Sequence, residues 1–148
     1  MAQLATAIYG RITLDSAGAM LLASNAGHLP PLLRTADGTV SQIRRGAAPL
    51  IGAVPPGQVV RAEGAVLLPN GSLLVLYTDG LVEKRDRDID DGIDSLAAAL
   101  GEIEHTASPE QVCDALLAAL GEDGQDDDIA LLVLRIDGSG HDGLESRN

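Results

Sequence analysis

The sequence predicts an α+β fold, and the order of its apolar segments is what indicates this class. Short apolar runs separated by turn residues fill residues 5–77, whereas apolar residues recur at helical spacing within 89–120. A last run, 129–136, is almost entirely apolar, so both of its faces must be covered. A strand buried on both faces lies between layers, with a second sheet on one side and helices on the other.

The first half of the chain predicts a meander of antiparallel strands. Turn-forming residues at 15–18 and 35–38 separate apolar runs and predict two hairpins. A third hairpin is predicted at Pro69, Asn70 and Gly71, because Asn-Gly accepts the positive φ that a tight turn requires. The predicted strands are 5–14, 20–25, 32–34, 39–43, 58–68 and 73–77.

Two helices are predicted in the second half. The first covers 89–100, with Gly101 as its C-terminal cap. The second begins after Ser108 as N-cap, with Pro109 at its first position and Gln111 completing a capping box, and Gly121 closes it.

Composition and charge exclude several classes of partner. The chain has 148 residues, a formal net charge of −12 and no cluster of basic residues larger than Arg44 and Arg45. Such a surface repels phosphate backbones and anionic lipid heads, so we expect neither nucleic acid nor a membrane as a partner. Phe and Trp are absent, so the core must be built of aliphatic residues, which leaves it little stability in reserve.

The single cysteine and the absence of long apolar runs indicate in which cellular compartment the protein is expected. Cys113 lies in the second predicted helix beside Val112, where a buried, inert thiol is expected rather than a nucleophile. With one cysteine there is no disulfide framework, and the sequence has neither a signal peptide nor an apolar run near membrane-spanning length. We therefore expect a cytoplasmic protein.

Two acidic motifs at the ends of apolar runs are the candidate site. Asp79 and Gly80 follow the run 73–77, and Asp126, Asp127 and Asp128 precede the run 129–136. Carboxylates at the rim of a sheet are suited to a hard divalent cation, which prefers oxygen ligands. Each motif also has an ordinary structural interpretation, because Thr-Asp-Gly is a common turn and an acidic triplet is usually a solvated loop.

In five segments, 5–10, 25–33, 46–52, 74–83 and 126–135, the chain resembles the metal-dependent protein phosphatases of the type 2C (PPM) superfamily. The resemblance is to the C-terminal part of the domain in the bacterial branch of sporulation and stress-response serine phosphatases. It implies a partial α/β/β/α sandwich of antiparallel sheets flanked by helices. The segments follow the family's order, so chance agreement is a poor explanation.

The resemblance also implies roles for residues of the two acidic motifs. Asp79 and Asp127 match catalytic metal ligands, and they are expected to meet at one rim of the sandwich around Mn²⁺ or Mg²⁺, two ions in the complete domain. Asp128, Thr78 and Gly80 are expected to support these ligands. Asp126 is interpreted as a solvated loop carboxylate.

The turn between the predicted strands 20–25 and 32–34 carries a further motif of the family. Asn25, Gly27 and His28 lie beside a proline pair. The imidazole of His28 could act as an acid or a ligand, but Gly27 and the prolines mark a shaped turn, so a structural role is expected.

One element of the family pattern is missing. The family's bridging aspartate lies in an upstream Gly-Asp motif, and this sequence contains no Gly-Asp pair. The expectation is an incomplete phosphatase domain over residues 1–137, lacking the N-terminal strands and helix, followed by a disordered tail at 138–148. Such a chain is expected to be inactive alone and to self-associate through an exposed sheet edge.

The function implied by the resemblance is hydrolysis of phosphoserine or phosphothreonine by a metal-bridged water. The substrates would be phosphorylated signalling proteins such as regulators of sigma-factor control. A non-catalytic remnant that binds protein partners is the alternative, and the missing bridging aspartate favours it for this chain. A β-rich binding module whose aspartates only form turns is a third possibility.

Overall fold

The structure is a computed structural model that describes residues 3–55, 57–58, 61–84, 87–121 and 128–138. Its elements, in chain order, are β1 (Ala7–Asp15), β2 (Gly18–Ala26), β3 (Leu32–Arg34), β4 (Val40–Gln42), β5 (Ala47–Ala48), β6 (Gly64–Pro69), β7 (Leu73–Tyr77), α1 (Asp79–Val82), α2 (Ile89–Glu102), α3 (Pro109–Leu120) and β8 (Leu131–Arg135). The predicted α+β class is confirmed. The predicted tail falls almost wholly outside the described residues.

The described strands form two sheets. In the first, β1 pairs with β2, and β2 pairs on its other side with β5 and β6. In the second, the order is β4-β3-β7-β8, and all pairs are antiparallel. The short β2–β5 pairing is parallel, so the arrangement is not a simple meander.

The predicted hairpin at the Asn-Gly turn is wrong. The strand before this turn, β6, pairs with β2 in the first sheet, whereas β7 pairs with β3 and β8 in the second. The turn is held from outside, because Gly71 N–H donates to the Ile136 carbonyl at 2.7 Å and Ile136 N–H donates to the Ser72 carbonyl at 2.9 Å. Gly71 has the expected positive φ of 79°, but here the turn carries the chain from one sheet to the other.

Two apolar cores separate the layers. The core between the sheets contains Ala19, Leu21, Ala23, Leu33, Ile43, Leu68, Leu74 and Ile136. The core between the second sheet and the helices contains Leu32, Leu73, Val75, Tyr77, Leu81, Val82, Ile93, Leu96, Leu100, Val112, Leu116, Leu120 and Val133. Alternate residues of β7 therefore face opposite cores, as a strand covered on both faces requires.

Strand β8 is shorter and less covered than predicted. Val133 is buried against the helices, but Leu132 is 52% exposed. Leu132 pairs with Leu76, which packs against the core between the sheets, so Leu132 faces the first sheet. Since β8 is the edge strand of the second sheet, the described strands of the first sheet leave Leu132 uncovered.

The two predicted helices are present, with one corrected end. Helix α3 has the predicted capping box of Ser108 and Gln111 and ends before Gly121. Helix α2 continues through Gly101 to Glu102, so the predicted glycine cap is wrong. The buried guanidinium of Arg34, on β3, donates to the Ile103 carbonyl at 2.6 Å and caps the helix instead.

Cys113 on α3 is half-buried rather than fully buried. Burial raises the pKa of its thiol, and the neighbouring Asp114 and Glu110 carboxylates add to the effect. A protonated thiol is a poor nucleophile, which agrees with the inert role expected.

Among the helices of the described residues, none combines the length and the hydropathy that a membrane span requires.

Helix α1 is fixed by a close approach of α2. A Cβ built on Gly92 of α2 would lie 2.0 Å from the carbonyl oxygen of Val82, at the end of α1. Only glycine permits this distance without a shift of one helix. Because Asp79 begins α1, the packing at Gly92 also determines where that carboxylate lies.

We predict that Gly92→Ala destabilises the fold by about 1–3 kcal/mol, the usual range for overpacking, although alanine favours helix. Gly101→Ala in the same helix is the matched control. A Cβ there has Val40 Cγ2 at 3.8 Å as its nearest neighbour, so this change should stabilise by up to about 1 kcal/mol. Urea unfolding measures both, and equal effects of the two substitutions would contradict the packing argument.

Candidate metal centre at the junction of β7 and α1

Asp79 lies where β7 ends and α1 begins. Thr78 before it has extended backbone at φ −92° and ψ 164° and is the N-cap of α1. The carboxylate oxygen Oδ1 of Asp79 accepts from the Gly80 N–H at 3.0 Å. Gly80 is buried whereas Asp79 is exposed. The backbone of the site is thus anchored while the carboxylate reaches solvent, as a metal ligand requires.

Thr78 joins this junction to the segment that enters β8. Its hydroxyl donates to the Asp128 carbonyl at 3.1 Å and accepts from the Ala130 N–H at 2.8 Å. Its backbone N–H donates to the Ala130 carbonyl at 3.0 Å. These bonds extend the antiparallel pairing of β7 with β8, whose last pair is Tyr77 and Leu131. Asp128, the described residue of the second acidic motif, therefore lies at the same rim of the second sheet as Asp79.

The structure brings Thr78, Asp79, Gly80 and Asp128 into one neighbourhood. The predicted ligand Asp127, like Asp126, lies outside the described residues, so the metal-binding and catalytic roles of Asp127 remain predictions. Within the described ranges, no group of three His, Cys, Asp or Glu residues is placed to hold a metal ion. The two described carboxylates fit a hard cation by their oxygen chemistry, but they do not complete a ligand set.

Asn25, Gly27 and His28 form a hydrogen-bonded turn. The Asn25 side chain accepts from the His28 N–H at 2.8 Å and donates to the His28 carbonyl at 2.9 Å. The Nδ1 of His28 lies 2.9 Å from the Leu29 carbonyl, which can only accept, so Nδ1 carries the proton. Gly27 has a φ of 71°, and a Cβ there would meet Leu50 at 2.5 Å.

Sequence reasoning missed a residue that connects this turn to the site. The buried hydroxyl of Tyr77 donates to the Pro30 carbonyl at 2.9 Å, so the last residue of β7 holds the turn that follows His28. The available signal was that Tyr77, one of only two aromatic residues, immediately precedes Thr78 and Asp79. Burial raises the pKa of Tyr77 above its usual range.

This raised pKa has a predictable effect on stability. The phenol stays neutral in the folded state but ionises at about pH 10 in the unfolded chain, so it favours folding below that pH and its contribution is lost above it. In a Tyr9→Phe background, absorbance at 295 nm reports Tyr77 alone. Its phenolate should appear only as the protein unfolds, and Tyr77→Phe should weaken the alkaline loss of stability. Ionisation at about pH 10 in the folded state would contradict this.

Removing the Thr78 hydroxyl should separate the two acidic motifs. We predict that Thr78→Val lowers the free energy of unfolding by about 1–2 kcal/mol, because the Asp128 carbonyl and the Ala130 N–H lose their partner. Thr78→Ser keeps the hydroxyl and should cost less than half as much. Urea unfolding of both variants measures the difference. A valine variant as stable as the serine variant would show that these bonds contribute nothing.

Comparison with known proteins decides the family. The sequence matches the family model described as Stage II sporulation protein E over residues 2–137. The chain belongs to the SpoIIE family. The predicted resemblance to a PPM-type phosphatase domain of the sporulation and stress-response branch is thereby confirmed.

Solved structures agree with this assignment. The structure of the RsbU and RsbW domains of a Mycobacterium tuberculosis protein has 28% identity and a TM-score of 0.68, covering 83% of this chain and 36% of that chain. The SiaA PP2C domain of Pseudomonas aeruginosa has 26% identity and a TM-score of 0.57, covering 80% and 47%.

The manganese-presoaked phosphatase domain of SpoIIE from Bacillus subtilis has 23% identity and a TM-score of 0.65, covering 90% of this chain and 56% of that chain. At that identity the likeness concerns the fold. This SpoIIE-family chain thus spans only part of the length of the proteins it matches.

Proposed function

We propose that this chain supplies the second half of a metal-dependent serine/threonine phosphatase site that hydrolyses phosphate monoesters on protein substrates. The observation that carries the proposal is the junction at Thr78, where hydrogen bonds to the Asp128 carbonyl and the Ala130 N–H hold the described end of the second acidic motif at the rim that carries Asp79.

In this proposal Asp79 and Asp127 hold Mn²⁺ or Mg²⁺. When bound, two such ions would supply a water of lowered pKa as the nucleophile and would neutralise the phosphate oxygens. The manganese soak of the B. subtilis relative and the oxygen-only donors at this rim support the choice of ion. This sequence contains no Gly-Asp pair, so the family's bridging carboxylate has no counterpart of that kind here.

The neighbouring residues set the position of these ligands. Because the Gly80 N–H is bonded to Oδ1 of Asp79, the other carboxylate oxygen would be the one available to an ion. Thr78 fixes the path of the backbone at Asp128, whose side chain would orient a ligand or a water. We assign a structural role to the turn of Asn25, Gly27 and His28, since the Asn25 and His28 side chains hydrogen-bond to backbone groups of the same turn.

We propose the substrate class from the resemblance to the relatives and from the charge of the chain. The M. tuberculosis structure contains an RsbW domain beside the RsbU domain, which supports phosphorylated regulators of sigma-factor control as substrates. A net charge of −12 disfavours nucleic acid and anionic membranes as partners. We place this reaction in the cytoplasm.

A non-catalytic role is the second candidate. The lack of a Gly-Asp pair favours a phosphatase-like chain that binds protein partners. Metal binding separates the two candidates, since a purely structural remnant has no reason to keep ion affinity at Asp79.

Metal titration tests the proposal. We expect residues 1–148 to bind Mn²⁺ weakly, in roughly the millimolar range, and to show no measurable turnover of p-nitrophenyl phosphate. Asp79→Asn and Asp127→Asn should each abolish the binding, measured by Mn²⁺ electron paramagnetic resonance. Asp94→Asn, at an exposed carboxylate on α2, is the matched control and should bind as the wild type does.

The catalytic assay has two informative outcomes. An N-terminal extension carrying the family's Gly-Asp strand should raise turnover by about three decades or more, because the binuclear site is then complete. Robust hydrolysis by residues 1–148, abolished by Asp79→Asn, would show that the bridging carboxylate is not required. If all variants bind Mn²⁺ equally, the assignment of Asp79 and Asp127 is wrong.

A further inference from the structure

A basic residue, Arg44, lies at the same rim of the second sheet as Asp79. Strand β4 ends at Gln42, but the Ile43 N–H donates to the Pro31 carbonyl at 2.7 Å, so the pairing of β4 with β3 extends by one residue. Because β3 is antiparallel to both β4 and β7, the ends of β4 and β7 lie at the same rim. Arg44 follows Ile43 and is therefore two strands away from the end of β7.

The Arg44 side chain points to the face of the second sheet that packs against the helices. Ile43 belongs to the core between the sheets, and consecutive strand residues point to opposite faces. Arg44 Nη2 donates to Oε1 of Gln42 at 2.6 Å, and Gln42 lies on the same face. Helix α1, which begins with Asp79, contributes Leu81 to the core on the helix side. Arg44 and Asp79 therefore share both the rim and the face.

The positive charge of Arg44 is accessible. The side chain is exposed, and a bond from one of its five N–H donors to the neutral amide of Gln42 leaves the charge in place. Burial raises the pKa of the Tyr77 phenol, and the charge of Arg44 opposes this rise. A charge acts in this way at short range, which agrees with a guanidinium placed near the end of β7.

The spacing of the strands sets the distance between Arg44 and the acidic rim. Neighbouring strands lie about 4.8 Å apart, so the Arg44 backbone is about 10 Å from that of β7. Asp79 comes two residues after the end of β7, which increases the separation to about 10–12 Å. An extended peptide rises about 3.3 Å per residue, so three or four of its residues cover this separation.

We propose that Arg44 binds an acidic side chain of the phosphoprotein substrate, three or four residues away from the phosphorylated serine or threonine. The inference rests on the proposed function, in which metal ions at Asp79 hold the phosphate. A guanidinium binds a carboxylate through two parallel N–H···O bonds, so Arg44 would select aspartate or glutamate at that position. A chain of net charge −12 repels anionic proteins as a whole, and this local cation offsets the repulsion at the rim.

Arg45 offers a matched comparison for Arg44. Both residues are exposed and carry the same charge. A Cβ built on Gly64 of β6 would lie 2.4 Å from the Arg45 Cβ, so Arg45 begins against the first sheet instead of on the helix side of the second. Substitution of either arginine removes one charge from the same segment, but only Arg44 is placed to contact a substrate that lies along the acidic rim.

Phosphopeptide titrations of residues 1–148 in Mn²⁺, followed by NMR, test the contact. The peptides contain one phosphoserine and carry aspartate, alanine or lysine three or four residues away on either side. We expect an aspartate peptide to bind about two- to fivefold more tightly than its alanine counterpart, as for an exposed ion pair. Arg44→Gln should remove this preference, and Arg45→Gln should keep it. A preference that survives Arg44→Gln, or is lost equally in both variants, would overturn the proposal.

Charge exchange distinguishes recognition from a structural role of Arg44. Arg44→Glu should bind the lysine peptide more tightly than the aspartate peptide, because the pair re-forms with the signs exchanged. If Arg44 only supported the fold, Arg44→Glu would weaken the binding of all peptides equally, which would contradict the proposal. The NMR spectrum of each free variant shows whether it is folded.

The same titrations separate this inference from the proposed function. Dependence of the affinity on Mn²⁺, and its loss in Asp79→Asn, report the metal site, whereas the preference for aspartate reports Arg44. Binding that depends on Mn²⁺ but shows no preference for aspartate would overturn the role of Arg44 alone. Binding that ignores Mn²⁺ but prefers aspartate through Arg44 would contradict the metal site alone. A wild type that binds no phosphopeptide at about 5 mM would overturn the contact.

Discussion

The pairing of β7 with β8 is the interaction on which the rest of the structure depends. These strands lie side by side at the second sheet's edge, and β7 contributes side chains to both apolar cores. At one end the pairing continues through Thr78 to Asp128, and at the other it continues through Ser72 to Ile136. The same ladder therefore positions the acidic rim and the turn that links the two sheets.

Much of the fold could be predicted from local signals. The capping box at Ser108 is formed by residues close together in sequence, so local sequence predicts it. The strand β7 is predicted in the same way, from its own run of apolar residues. The acidic motifs were recognised because Asp79 and Asp127 follow a known order of motifs. What local signals cannot supply is the identity of a strand's partner.

The errors share this physical origin. The Asn-Gly turn predicts a hairpin wrongly, because its local conformation is the same whether the next strand returns or moves to another sheet. Gly101 predicts a helix cap, but Arg34, 69 positions from Ile103 in sequence, supplies the cap. The link from Tyr77 to Pro30 spans 47 positions. Contacts of this kind depend on tertiary packing, and no single segment encodes them.

The change of sheet at Gly71 has a consequence for the folding rate. Because β6 and β7 are adjacent in sequence but belong to different sheets, neither can form by a local hairpin. Strand β6 must pair with β2, and β7 must pair with β3 and β8. The chain therefore loses the entropy of closing long loops before it gains the favourable contacts of these pairings. Folding should therefore be slow for a chain of this size.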